Sequence, residues 1–207
     1  MKLLRPCFVI TLALLVLCCL VYPGMVTAFA QVLFRAQANG SLVERDGKVL
    51  GSTLIGQSVA DWAAHREYVW GRPSAASNDA STNITYSSGS NYGPMNAALL
   101  AEVKARVALL RDSGVNGPIP ADLVTKSASG LDPHISPASA ALQVPRIAAT
   151  RKVAESKVRE LISVHTEPST LGFLGEARVN VLLVNLDLDV HAPYAAPPPA
   201  ASAAPAK

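Results

Sequence analysis

The sequence predicts an α+β protein in which one N-terminal transmembrane helix precedes a single mixed α/β soluble domain. Three observations favour this fold class: a long uncharged N-terminal stretch, short runs rich in β-branched residues after it, and amphipathic helical patterns further on. The 207 residues leave room for one anchor and one domain, since domains usually contain about 100 to 200 residues. We expect an anchor over residues 1–35, a soluble domain over 36–190 and a disordered tail rich in Ala and Pro over 191–207.

The uncharged stretch runs from Pro6 to Phe34, between Arg5 and Arg35, and contains 29 residues. About 20 helical residues cross a hydrocarbon core of roughly 30 Å. The stretch is therefore long enough to span a membrane.

A cleaved secretory signal peptide is the alternative interpretation of the same stretch. Lys2 and Arg5 form a basic start, and Ala28-Phe29-Ala30 fits the pattern of small residues before a cleavage site. The apolar run from Cys7 to Tyr22 exceeds the roughly 7 to 15 residues of a signal core, and apolar residues resume beyond it. This favours an uncleaved anchor, and the alternative is an exported binding protein with no membrane partner.

Both sides of the anchor carry three positive charges, so we take its orientation from the charges next to the start of the helix. Lys2, Arg5 and the terminal amine precede the helix, and Arg35, Arg45 and Lys48 follow it. Positive charges next to the first helix usually stay inside. We therefore expect the soluble domain on the external side.

The soluble part is neutral, because it holds 15 basic and 15 acidic residues from Ala36 onward. This balance disfavours nucleic-acid binding, which needs clustered Lys and Arg. The cysteines Cys7, Cys18 and Cys19 all lie in the uncharged stretch, so the soluble part has no thiol for a disulfide or a thiolate metal site. The four histidines are scattered without ligand spacing, and we expect no metal site.

A β-hairpin is predicted directly after the anchor. Ser41 to Glu44 and Lys48 to Ile55 are β-rich runs, and Arg45-Asp46-Gly47 between them contains the Asp-Gly pair typical of tight hairpin turns. From Gln57 to Pro94, turn-forming residues without periodicity predict an ordered loop.

The clearest helix is predicted from Asn96, as its cap, to Asp112, with Gly114 just past its end. A short helical turn is expected near Asp122 to Ser127.

Two helices and a strand are predicted in the last third. One helix begins with Ser136 as its cap and Pro137 as its first residue, and Pro145 should kink or end it. A second helix is expected from about Lys152 to Val164, and Arg178 to Asn185 is predicted to form a buried strand.

Catalytic motifs are incomplete in this sequence. Residues 51–58 match the phosphate-binding loop GxxxxGK[ST] except that Gln57 replaces the lysine, whose charge a neutral amide cannot supply. No Asp-Lys-Thr-Gly phosphorylation motif occurs. Ser129, Asp132 and His134 have the residue types of a hydrolase triad, although one turn rarely brings three such residues into triad geometry. We expect no catalytic residues.

Several segments together resemble the C subunit of the bacterial Kdp-type potassium-transporting ATPase. They keep the family's order and spacing from the first helix to about Asp189: residues 37–42, 51–57, 71–74, 124–125, 129–136, 143–146, 171–176 and 179–181, which include Gly71-Arg72-Pro73-Ser74, Ser129-Gly130-Leu131-Asp132-Pro133-His134 and Leu171-Gly172-Phe173-Leu174-Gly175-Glu176.

The resemblance implies a non-catalytic accessory subunit in a bacterial inner-membrane complex for ATP-driven potassium uptake. Its implied partners are a channel-like potassium-binding subunit, a P-type ATPase subunit and a small membrane peptide. It also implies the role of a catalytic chaperone that raises the ATP affinity of the ATPase subunit. We expect no cofactor of its own, and we assign an ATP contact within the complex to Gln57, Ser129 and Gly130.

The anchor is also a candidate assembly surface. Gly24, Thr27 and Ala28 are small or weakly polar, which lets a neighbouring helix approach closely. We predict that these three residues form a membrane interface with another subunit.

Overall fold

The computed structural model describes residues 3–57, 64–76 and 86–194. Its first helical stretch covers Leu4–Leu33, which is long and apolar enough to cross a membrane. It consists of α1 (Leu4–Val16), a π-helical turn (Leu17–Val21) and α2 (Tyr22–Leu33). The π-helical turn ends two residues before Pro23, which has no N–H to donate and crowds the carbonyl four residues earlier, within that turn.

The chain divides into two compact units, Met1–Leu54 and Ile55–Lys207. The first unit adds α3 (Arg35–Ala38) and a hairpin of β1 (Leu42–Arg45) with β2 (Lys48–Ser52) to the helical stretch. Asp46 and Gly47 have φ angles of 52° and 74°, as the two central residues of a type I′ turn require. The predicted hairpin is therefore confirmed, and both of its strands lie in the unit that contains the N-terminal helical stretch.

The second unit contains a three-stranded antiparallel sheet of order β3–β5–β4. Its strands are short: β3 (His134–Ile135), β4 (Thr166–Glu167) and β5 (Arg178–Asn180). Val179 on the central strand pairs with Ile135 on one side and Thr166 on the other. The main core cluster joins this sheet to three helices through Val144, Ile147, Val158, Val179, Val184 and Leu188.

Helix α4 (Ala97–Asp112) has the predicted bounds. The Asn96 side chain accepts a hydrogen bond from the amide of Ala98 and caps its first turn. The C-terminal end of α4 places Leu110 in a smaller apolar cluster with Trp70, Val115 and Leu123. Leu123 belongs to a 3₁₀ turn (Ala121–Leu123), where a short helical turn was expected.

Helix α5 (Pro137–Arg151) begins as predicted, because the Ser136 hydroxyl accepts from the amide of Ser139 and Pro137 is the first helical residue. The helix does not end at Pro145 but continues to Arg151. The buried face around Val144 outweighs the one backbone hydrogen bond that proline removes. The next helix, α6 (Glu155–Val164), begins three residues later than expected.

The prediction of a strand from Arg178 to Asn185 is wrong beyond Asn180. The Asn180 side chain accepts from the amide of Leu183 at 3.2 Å and caps α7 (Val181–His191). Short apolar runs are compatible with either a buried strand or a buried helix, and here a polar cap ends the strand after three residues. Helix α7 includes His191, the first residue of the predicted tail, and residues 195–207 lie outside the described part of the chain.

Candidate functional site

The predicted membrane interface lies on one side of α2. Gly24, Thr27 and Ala28 are spaced i, i+3 and i+4, so they share one helical face and all three are exposed. A methyl group added at Gly24 would meet nothing within 4 Å. The bulkier Val26 and Phe29 are rotated away from Gly24 by about 200° and about 140°, toward the opposite face. The small face is therefore open for the close approach of another helix.

In the second unit, the segment of residues 64–76 is held by side-chain amides rather than by a neighbouring strand. Asn185 of α7 accepts from the amide of Val69 at 2.8 Å and donates to its carbonyl at 3.0 Å. Gln143 of α5 does the same for Trp70, at 2.8 and 3.0 Å. These side chains replace the ladder hydrogen bonds that an extended segment would otherwise need.

Two buried arginines add to this attachment. Arg146 of α5 donates to the carbonyls of Arg66 and Tyr68, and its guanidinium lies 3.7 Å from the centre of the Trp70 ring. Arg151 donates to the carbonyl of Glu67 at 2.7 Å.

Arg151 also ties the end of α7 to α5. It donates to the carbonyls of Leu188 and Ala192 and forms a 2.8 Å ion pair with Asp189. Sequence patterns assigned no role to Arg146, Arg151 or Asn185, because a buried polar residue inside an apolar helix is not recognisable without its partner.

The attached segment carries Arg72 and Ser74 to the loop that contains the predicted residues 129 and 130. Arg72 forms a 3.0 Å ion pair with Asp132 and donates to the carbonyl of Lys126 at 3.3 Å. The Ser74 hydroxyl donates to the carbonyl of Gly130 at 2.8 Å. The motif Gly71-Arg72-Pro73-Ser74 therefore fixes the position of the loop over residues 126–132.

Gln57 and Gly130, two of the three residues assigned to an ATP contact, lie together against the Arg72–Asp132 ion pair. They line a cavity of about 10 Å³. A cavity of about 10–15 Å³ holds one water molecule, so this space is far too small for a nucleotide.

Close backbone packing explains the small size of this cavity. A methyl group added at Gly130 would lie 2.6 Å from the carbonyl oxygen of Ser88 and 2.8 Å from the Ala76 methyl group. One added at Gly56 would lie 2.4 Å from the carbonyl oxygen of Asp132. Gly56, in the incomplete phosphate-loop pattern, and Gly130 both allow two backbone segments to approach closely. Their role here is therefore structural.

Ser129, the third assigned residue, is exposed beside this cavity. Its hydroxyl accepts from the amide of Leu131 at 3.1 Å and lies 3.2 Å from the Ser127 hydroxyl. The hydroxyl thus takes part in local turn hydrogen bonds.

The hydrolase alternative finds little support in this geometry. Asp132 accepts from the backbone amide of His134 at 3.0 Å, but its carboxylate lies 3.8 Å from the His134 ring nitrogen. No hydrogen bond joins Ser129 to His134 within the described ranges. Burial lowers the pKa of His134 and so favours the neutral ring.

A larger cleft, of about 280 Å³, lies between α4 and the loop over residues 124–128. Lys126 forms a 2.8 Å ion pair with Glu102, and the Tyr92 hydroxyl donates to the same carboxylate at 3.2 Å. The Lys126 hydrogen bond is the main reason that the pKa of Glu102 lies below its usual value. The opposite charges in this cleft satisfy each other, so they attach the loop to α4.

Asp122, just before the loop over residues 124–128, makes hydrogen bonds that help to hold this loop in place. Its carboxylate accepts from the Ser136 amide at 2.8 Å and from the Ser139 hydroxyl at 2.6 Å. Burial alone would raise the pKa of Asp122, but these hydrogen bonds outweigh burial and lower it below the usual value. Asp122 therefore connects the 3₁₀ turn to the start of α5.

Comparison with known proteins gives a consistent match over nearly the whole chain. Residues 4–190 match the family model described as K+-transporting ATPase, c chain. This range includes the N-terminal helical stretch and the second unit as far as Val190.

Curated relatives of similar length carry the description potassium-transporting ATPase KdpC subunit. The protein from Gemmatimonas aurantiaca is 53% identical over 190 residues, which cover 91% of this chain and 93% of that protein. The protein from Methylococcus capsulatus is 56% identical over 170 residues, covering 81% and 87% of the two chains. The protein from Polaromonas naphthalenivorans is 51% identical over 198 residues, covering 95% and 98%.

Proposed function

Because the chain belongs to the KdpC family, the c chain of the K+-transporting ATPase, we propose that it acts as a non-catalytic accessory subunit that assembles and stabilises the complex. Its proposed partners are the channel-like potassium-binding subunit, the P-type ATPase subunit and the small membrane peptide of the same assembly. The chain contains no Asp-Lys-Thr-Gly motif, so phosphorylation belongs to another subunit in this proposal.

The proposed assembly contact in the membrane is the small face of α2. Gly24, Thr27 and Ala28 leave this face open, and packing between helices in lipid depends on such close approach. In this arrangement the anchor spans the bacterial inner membrane and the second unit lies on the external side, which agrees with the charges that flank the helix.

The subunit is proposed to raise the affinity of the P-type ATPase subunit for ATP, and to do so without contacting ATP itself. The small volume beside Gln57 and Gly130 is the observation that carries this proposal, since a nucleotide does not fit there. An external location would also separate the unit from cytoplasmic ATP. The effect would then be a coupling free energy between the subunit contact and the nucleotide site of the partner.

The first experiment measures the ATP dependence of potassium-stimulated hydrolysis by the complex purified with and without this chain. The KM for ATP should rise severalfold when the chain is omitted, while the other subunits stay together in lower yield. An unchanged KM and an unchanged yield would contradict the accessory role.

A second experiment separates indirect coupling from direct contact. The full chain, purified alone in detergent, should not bind ATP at cellular concentrations. ATP binding that is lost in both Gln57→Ala and Ser129→Ala variants would instead place a nucleotide contact on this subunit.

The exported-protein alternative has its own test. Cleavage after Ala30 would remove most of the helical stretch and leave a mature protein that begins at Gln31. Mass spectrometry of the N-terminus from cell membranes should find the uncleaved chain if the anchor interpretation is right. A mature N-terminus at Gln31 would favour the exported protein.

A further inference from the structure

The loop between β4 and β5 carries the densest group of exposed large apolar side chains in the described part of the second unit. Leu171, Phe173 and Leu174, which we call the apolar tip, expose 78%, 75% and 50% of their surfaces. The other large apolar residues exposed in this unit are separate from one another along the chain: Ile55, Tyr86, Met95, Leu100, Val164 and Val190. Single exposed apolar residues are ordinary, whereas a group of them marks an interaction site.

The backbone of the loop holds the apolar tip in a defined conformation. Thr170 and Leu174 form an isolated antiparallel bridge in which each amide donates to the other residue's carbonyl at 2.9 Å. The amide of Gly172 adds a 3.0 Å hydrogen bond to the carbonyl of Ser169. Because the tip is closed at its base, a partner would not bear the full entropic cost of ordering it.

Leu171 adopts a costly backbone conformation at the end of this loop. Its φ angle is +55°, and the following Gly172 has +81°. The left-handed region is natural for glycine but unfavourable for a bulky residue. The backbone conformation that exposes this leucine therefore has a cost in free energy. Such strained residues cluster at functional sites.

The charges around the apolar tip distinguish a protein partner from a lipid surface. Residues 168–175 are uncharged, with Glu167 before them and Glu176 after them. Glu167 and Arg178 neutralise each other through a 2.6 Å ion pair, which leaves Glu176 as the net charge beside the tip. Loops and helices that enter membrane interfaces use Lys, Arg and Trp to contact anionic lipids, whereas the net charge beside this tip is that of Glu176, which anionic lipids would repel. A protein pocket with apolar walls and a basic rim fits this surface better.

We propose that the apolar tip docks into an apolar pocket with a basic rim on the extramembrane surface of another subunit of the potassium-transporting assembly. This inference rests on the accessory function proposed above and assigns it a contact outside the membrane. Phe173 is the central residue of the contact, since aromatic side chains dominate the energy of small interfaces.

Photo-crosslinking in the intact complex tests the location of the apolar tip. A benzophenone side chain is placed at position 173 in the full chain, and, as the matched control, at position 95, where Met95 is 93% exposed on another part of the same unit. Position 173 should crosslink to a second subunit and position 95 should not. Crosslinks from position 173 to lipid, to a second copy of this chain or to no polypeptide would overturn the proposal.

Substitution tests whether the contact contributes to binding. Phe173→Ser should reduce the amount of the chain retained on a tagged partner subunit by roughly tenfold in a detergent exchange assay, and Phe173→Leu should restore most of it. Met95→Ser should retain wild-type binding. Wild-type retention of Phe173→Ser would overturn the docking role even if position 173 lies near the partner. If the wild-type chain itself does not copurify with any subunit, the proposed accessory function fails instead.

Discussion

The side-chain amide of Gln143 makes two hydrogen bonds with the backbone of Trp70, accepting from its amide at 2.8 Å and donating to its carbonyl at 3.0 Å. Gln143 is fully buried, and its oxygen also accepts from Arg146 at 2.8 Å. One side chain thus satisfies both polar groups of Trp70 and orients the arginine that stacks on the Trp70 ring. No other side chain of this length offers both a neutral N–H donor and an oxygen acceptor. The position should therefore be sensitive to substitution.

Replacing this glutamine should be strongly destabilising. Gln143→Leu preserves much of the volume but removes the two hydrogen bonds to the buried backbone of Trp70, each costing about 1–3 kcal/mol. It also removes one of the three oxygen acceptors of Arg146. We expect the Tm of the full chain in detergent to fall by roughly 5–10 °C. Arg159→Ala, which removes an exposed ion pair with Glu155, should lower it by no more than about 2 °C. Equal effects of the two substitutions would contradict the proposed role of Gln143.

Gly130 and Gly114 form a matched pair that separates steric packing from backbone strain. Both have positive φ angles, +71° and +94°, but only Gly130 has neighbouring atoms within 3 Å of an added methyl group. Gly114→Ala should therefore cost about 1–2 kcal/mol from strain alone. Gly130→Ala should cost at least twice as much, because the carbonyl of Ser88 must move. Thermal unfolding of both variants in detergent checks the difference, and similar losses would contradict the close packing around Gly130.

Asp122 should make the stability of the protein sensitive to acid. Its pKa is lower in the folded chain than in the unfolded chain, so its contribution is fully present above the unfolded pKa of about 3.9 and is lost as the pH falls through the folded value. The Tm of the wild type should therefore decrease more between pH 6 and pH 3 than that of Asp122→Asn, where these pH limits bracket the roughly 3.9 reference value. Ser139→Ala, which removes one hydrogen bond to the carboxylate, should show an intermediate decrease. Parallel curves for the wild type and Asp122→Asn would exclude this contribution.

The small face of α2 should tolerate bulk poorly when the complex assembles. Gly24→Leu places a large side chain where a neighbouring helix is proposed to pack, so copurification with the other subunits should fall severalfold. Val26→Leu, on the opposite and bulkier face, should assemble like the wild type. Unaffected assembly of Gly24→Leu would count against this face as an interface.

Local sequence signals predicted those elements whose ends are marked by specific residues. Asp46-Gly47 identified the hairpin, Asn96 the start of α4, and Ser136 with Pro137 the start of α5. In each case the residue acts on its immediate neighbours, through its own dihedral angles or a hydrogen bond two or three residues away. Such effects can be read without knowledge of the tertiary structure.

Elements that depend on distant packing were predicted less well. Pro145, which was predicted to kink or end α5, does not end it, because the buried face on both sides of it continues the helix to Arg151. The run after Asn180 forms a helix rather than a strand, and in this helix Val181, Val184 and Leu188 reach the main core cluster, whereas the apolar pattern alone allows a buried strand or a buried helix. At Pro145 and after Asn180, the local preference of a residue for helix or strand is therefore a weak guide to the structure.

The candidate site also has features that the sequence predicted and features that it did not. The sequence by itself determined the long uncharged helix, the neutral soluble part, the incomplete phosphate loop and the family resemblance, since each depends on residue identity and spacing along the chain. Only the tertiary structure decided that Gln57 and Gly130 border a cavity of about 10 Å³ and that Gln143, Asn185 and two arginines hold the segment at residues 64–76. The physical reason is that a buried polar group is defined by its partner, and those partners lie tens of residues away along the chain, where only folding brings them within hydrogen-bonding distance.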